Sequence, residues 1–127
     1  MPSQLNVDTL VAANGTDPVT LTKQSAAKWW VTLQQETTHQ IHDSFNVSSA
    51  DDDATGTSTL NFTNNMSNGD YCVTMGQSDG GGFNDLRSLN RDQTQVYSTS
   101  QFGFYGVSGT SLNDYLRCWL AGMGDLD

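Results

Sequence analysis

The run Asp51-Asp52-Asp53-Ala54-Thr55-Gly56 is the part of the chain whose spacing comes nearest to a chemical site. Oxygen donors at alternate positions Asp51, Asp53 and Thr55, followed by Gly56, repeat the first half of a calcium loop, in which hard ligands wrap a cation around a glycine turn. The second half fails, because the twelfth position, where a bidentate acid closes the coordination shell, is Phe62. The run is therefore read as a solvated acidic turn, with cation binding at Asp51 and Asp53 the lesser alternative and no cofactor expected. His39 and His42 stand three apart, which on a strand places them on opposite faces and denies them a shared metal. They are read as exposed or interface histidines. Serine, histidine and aspartate are all present, yet no G-x-S-x-G elbow frames a nucleophile. Glu36 is the only glutamate and the aspartates lie mostly in turns, so no glycosidase-like acid pair stands out. Gly80-Gly81-Gly82 lacks the lysine and the strand-to-helix setting of a phosphate loop. The chain reads as a protein that is not an enzyme.

Aromatic residues offer a different chemistry. The glycine loop runs into Phe83, Asn84, Asp85 and Arg87, and with Tyr105 these form a candidate recognition loop presenting rings and amides to a sugar, although plain hairpin packing explains them equally well. Trp29 and Trp30 are adjacent, so on a strand they face opposite ways; one is expected in the core and the other at a subunit interface, where tryptophan is enriched. Together with Trp119 they make up the candidate interface set Trp29, Trp30 and Trp119.

The elements that must position these groups follow from alternation. Apolar and polar residues alternate with period two along Trp29 to Leu33, Ile41 to Val47 and Thr59 to Thr63, the pattern of antiparallel strands with one buried and one wet face. About seven to eight strands are expected, near 28–34, 39–47, 57–63, 70–76, 86–91, 95–106 and 113–121, separated by runs of Gly, Asn, Asp and Ser. That spacing predicts an all-β antiparallel β-sandwich over 23–127. Val31, Leu33, Ile41, Phe45, Leu60, Phe62, Tyr71, Val73, Met75, Leu116, Cys118 and Leu120 should face inward, and Trp30, His42, Cys72, Arg117 and Trp119 outward. Residues 1–22 differ: Leu5, Val7, Leu10, Val11, Val19 and Leu21 surround turn chemistry at Asn14 to Pro18, which suggests an extended N-terminal arm used in assembly.

At 127 residues the chain suits one domain. A net charge of −9, with five scattered bases, opposes binding to nucleic acid or to an anionic membrane surface. No run is long enough for membrane insertion, and the first residues lack the basic region and apolar core of a secretory signal, so synthesis and folding in the cytosol are expected. Cys72 and Cys118 lack C-x-x-C spacing and are read as small reduced hydrophobes.

The segment from Lys23 to Thr63 resembles a module of virion structural proteins from marine tailed bacteriophages, often carried in tail-fibre-type proteins. The likeness rests on Gln24-Ser25-Ala26-Ala27-Lys28, the Trp29-Trp30-Val31 strand, Asp43 to Ser49, Gly56, Asn61-Phe62-Thr63, Met66 and Asp70-Tyr71, with further similarity in Leu5 to Leu10, Gly15 to Val19 and Gly124-Asp125-Leu126. It covers about half the chain and is weak from Gln77 to Asn113. Gln34 to Thr38 replace a glycine-rich hairpin, and Trp30 stands where a smaller residue is common. The resemblance implies a homotrimer on the virion surface, in contact with other capsid or tail proteins and potentially with a host surface glycan. Its role would be a short fibre-like or adsorption module, alternatively a capsid decoration protein that stabilises the head. An alternative of another class is a soluble carbohydrate-binding module.

Overall fold

A computed structural model describes residues 26–78, 87–91 and 98–125. The arm residues Leu5, Val7, Leu10, Val11, Val19 and Leu21 and the loop residues Phe83, Asn84 and Asp85 lie outside the described residues. Among the described residues nine strands follow in chain order: β1 (Trp29–Gln34), β2 (Gln40–Phe45), β3 (Val47–Ala54), β4 (Thr57–Phe62), β5 (Cys72–Ser78), β6 (Arg87–Arg91), β7 (Gln101–Ser108), β8 (Ser111–Leu112) and β9 (Arg117–Met123). They form two antiparallel sheets, ordered β2-β1-β9-β5 and β3-β4-β7-β6, with β8 paired to the end of β7. The sheets pack face to face as a β-sandwich, the fold class that the alternation predicts.

Between the sheets the inward residues of β1, β4, β7 and β9 make the core: Val31, Leu33, Leu60, Phe62, Phe102, Phe104, Cys118 and Leu120 are buried. Trp29 sits at its centre, fully enclosed, with its ring centroid 5.2 Å from Phe62, 5.5 Å from Phe102 and 6.4 Å from Tyr71. Offset and edge-on aromatic contacts of this kind add to the free energy of area burial. The indole fits because β9 supplies Gly122 opposite Trp29 in the register; a Cβ at that position would overlap the indole ring. Tyr115 closes the other end. It is fully buried, its hydroxyl donates to the Val107 carbonyl, and its ring occupies the space that a Cβ on Gly106 would need.

Four expectations change. Ile41 and Phe45, four apart, were to share the inner face, yet Ile41 packs on the core while Phe45 is 51% exposed. The register shows why: Thr32 pairs with Asp43 but Leu33 pairs with Ile41, so His42 is one extra residue in β2, and a bulge reverses the facing of everything beyond it. The single strand expected from 39 to 47 is two strands in different sheets. Asn46, with a left-handed φ of 57°, turns the chain from one sheet to the other, and its side-chain amide clips to Asn64 by Nδ2–H to the Asn64 carbonyl (3.0 Å) and by accepting the Asn64 N–H (2.7 Å). Asparagine tolerates this backbone region better than other side chains.

The acidic run is a strand as well. Asp51 and Asp52 pair with Thr59 and Ser58 in β3, and the turn is confined to Thr55 and Gly56, whose φ is 72°. Finally, Leu116 precedes β9 and is 40% exposed, because Tyr115 takes the inward position of that segment. Cys118 is buried and Cys72, at the start of edge strand β5, is exposed, both as the alternation places them; both thiols are free.

Candidate functional site

Three places gather polar or aromatic side chains, and their chemistry differs. The first lies inside. Gln35 is buried between the sheets; its Oε1 accepts the Tyr115 N–H (3.2 Å) and the Cys118 S–H (3.5 Å). Those two donors fix the amide orientation, so Nε2 donates to Ser58 Oγ at 2.9 Å. Ser58 Oγ in turn lies 2.9 Å from His39 Nε2. A serine within hydrogen-bond reach of a histidine is the geometry of a nucleophile and its base. Here, however, Ser58 is fully enclosed, so no substrate atom can reach it in this arrangement. Gln35, Ser58 and His39 instead form a polar staple across the sandwich, held by the Tyr115 and Cys118 donors. His39 therefore points inward rather than to the surface, while His42 faces out to Gln34 Oε1 at 3.1 Å. Burial, reinforced by the charge of Asp114, pushes the Cys118 thiol up to about 12.

The second place is the outer face of the five-stranded sheet. Thr59 Oγ1 donates to Asp53 Oδ2 (2.7 Å), and Asn61 Nδ2 donates to Asp51 Oδ2 (2.8 Å) and to Ser49 Oγ (3.0 Å). The carboxylates proposed as cation ligands are thus hydrogen-bonded to strand neighbours, and among the described residues no group of three or more metal-ligating side chains forms. Because β3 is an edge strand, three successive aspartates on it also discourage another strand from pairing there. Tyr105 lies on β7 of this sheet, opposite Thr57 and Asn90, and Arg87 opens β6 opposite Ser108.

The third place is the outer face of the four-stranded sheet. The register lays out two neighbouring rows across β2, β1, β9 and β5: Phe45, Trp30, Ala121 and Thr74, then Asp43, Thr32, Trp119 and Gly76. Each indole has a small residue beside it, Ala121 next to Trp30 and Gly76 next to Trp119. Trp30 and Trp119 occupy a diagonal of adjacent strands, a separation of about 7–8 Å that long side chains can span. Trp119 leans over Gly76, its Cε3 3.7 Å from where a Cβ on Gly76 would stand. Between the rings opens a groove of about 370 Å³ lined by Trp30, Thr32, Thr74, Gly76, Trp119 and Ala121. Trp119 is 47% exposed. Arg117, two residues before Trp119 on the same face and opposite Ser78, holds Nη1 enclosed without a hydrogen-bond partner among the described residues.

Of the candidate interface set, Trp30 and Trp119 meet at this groove, while Trp29 is enclosed in the core and offers a partner nothing to touch. Sequence reasoning placed Trp30 and Trp119 outward but did not join them, because strand order β1-β9 pairs segments nearly ninety residues apart. It did not find the Gln35, Ser58 and His39 staple; a glutamine inside an apolar alternation carries no local signal of its distant partners. In comparisons with known proteins, no family model, no curated protein and no solved structure matches the chain.

Proposed function

We propose that this chain is a non-enzymatic structural protein of a bacteriophage virion, displayed on the particle surface as a short fibre-like or adsorption module and attached through its N-terminal arm. The observation that supports it best is the groove between Trp30 and Trp119. A tryptophan 47% exposed on a sheet face, Trp119, beside the half-buried Trp30 is costly to leave uncovered, and such apolar surface commonly marks a contact site. The resemblance of Lys23 to Thr63 to phage virion proteins supplies the setting, and a homotrimer would present three such grooves side by side, raising avidity without new contacts. The −9 charge favours a second reading, a capsid decoration protein kept soluble at high copy number.

Incorporation into particles tests the proposal. Full chain produced during infection is expected to co-purify with virions, and a chain lacking residues 1–22 is expected to fold yet stay behind. Unchanged incorporation of the truncated chain would overturn arm attachment, and absence of the full chain from purified particles would overturn the virion role. Copy number separates the two placements: about a dozen per particle fits a fibre, hundreds fit decoration. Light scattering of the purified chain checks the trimer, for which three times the 13.8 kDa chain mass is expected.

A further inference from the structure

We infer that the Trp30–Trp119 groove is a binding subsite for a neutral sugar, a pyranose ring lying against one or both indoles. This inference deepens the adsorption reading above by naming the class of ligand. Three features of the groove select that class. Its walls are indoles, whose electron-rich faces attract the weakly positive C–H face of a sugar ring, and stacking on a rigid tryptophan costs little side-chain entropy. Its floor is open because Gly76 and Ala121 carry almost no side chain beside the two rings. A bulkier residue at either position would fill the space that a flat ring needs.

Hydrogen-bonding groups stand beside the indoles. Thr32 and Thr74 both line the groove. The Thr74 hydroxyl makes only a long contact of 3.5 Å to the Ala121 carbonyl, and the Thr32 hydroxyl has no partner among the described residues. Both can therefore turn to a ligand at little cost. A volume of about 370 Å³ falls at the small end of ligand-binding sites, suited to one or two sugar rings rather than to a folded partner.

Charge separates neutral from acidic ligands. At −9 per chain, an acidic polysaccharide approaches against long-range repulsion, while an uncharged glycan meets none. The subsite thus discriminates by the absence of charge as well as by shape.

Intrinsic fluorescence and saturation-transfer NMR of the full chain, titrated with neutral oligosaccharides of glucose, galactose, mannose and N-acetylglucosamine and with polygalacturonate as the acidic counterpart, test the inference. At least one neutral probe is expected to give saturable quenching, weakened tenfold or more in Trp119→Ala and in Trp30→Ala, each with an unchanged melting temperature and unchanged mass by light scattering. Gly76→Val, which fills the floor beside Trp119 and keeps both indoles in the chain, is expected to weaken binding as strongly. Polygalacturonate is expected not to compete. The inference is overturned if none of the neutral probes binds, if binding survives loss of both tryptophans, or if Trp119→Ala lowers the oligomeric mass, which would make the groove an interface between copies. Virion incorporation of Trp119→Ala is expected to be normal, so failure of sugar binding and failure of the virion role are read separately.

Discussion

On the outside of the five-stranded sheet, Asp51, Asp53, Thr59 and Asn61 direct their hydrogen bonds at one another. On the outside of the four-stranded sheet, Trp119 and Phe45 are exposed and Trp30 is half-buried, among glycine, alanine and threonine. Both faces belong to the same sandwich and cover the same core. The first has its polar groups satisfied within the strand ladder and its edge guarded by charge, so a partner would have to break hydrogen bonds to dock there. The second keeps apolar rings and a hydroxyl available, so a partner gains area and loses little. The difference teaches where to look for function in a domain that has no accessible catalytic arrangement among its described residues.

The sharpest way to break the contrast is to move a tryptophan's role from one class to the other. Trp29 and Trp30 are neighbours in sequence, yet Trp29→Ala removes the centre of the core and is expected to cost about 3–5 kcal/mol in denaturant unfolding. Gly122→Ala, which drives a methyl group into the Trp29 ring, is expected to destabilise comparably. Equal effects of Trp29→Ala and Trp119→Ala would erase the distinction between core and face.

Next in size is a pH effect rooted in the interior. The thiol of Cys118 is held neutral in the fold, to about 12 against an ordinary 9.0, so the unfolded chain releases its proton first as pH rises. Stability is therefore fully present below pH 9 and is expected to fall between about pH 9 and 12, by up to about 1.4 kcal/mol per pH unit from this group. Unfolding of wild type and Cys118→Ala across that range checks it; identical slopes would remove Cys118 as the cause. At neutral pH a disulfide-exchange reagent is expected to label Cys72 in the folded chain and Cys118 only after unfolding.

Smaller still is the effect of opening the polar lattice. Asn61→Ala removes the donor shared by Asp51 and Ser49, and because these groups reach water the expected loss is about 0.5–1 kcal/mol. Replacing Asp51 and Asp53 by Val should change stability little but promote self-association through the β3 edge, visible by light scattering. The smallest expected change belongs to the aromatic face itself: Trp119→Ala should shift stability by no more than about 0.5 kcal/mol.

Much of this arrangement was legible in the sequence. Period-two alternation marked Val31, Leu33, Leu60, Phe62, Cys118 and Leu120 as inward and Trp30, His42 and Trp119 as outward, since side-chain direction in a strand depends on local parity alone. Parity fails wherever a residue is inserted, and the bulge at His42 put Phe45 on the wrong side. The acidic run reads as a turn because Asp is rare in strands; on an edge strand that rarity reverses, since charge there prevents unwanted pairing. Asn46 carried a local signal for a left-handed turn, but the alternation on either side concealed the change of sheet. The groove itself could not be read, because it depends on β9 lying between β1 and β5.

The openness of the aromatic face is what the functional reading stands on. Hydroxyl-radical footprinting of the folded full chain, read residue by residue by mass spectrometry, measures it directly. Trp119 and Phe45 are expected to oxidise at rates approaching those of the unfolded chain, while Trp29 stays protected; protection of Trp119 equal to that of Trp29 would show the face to be covered and would contradict the assignment.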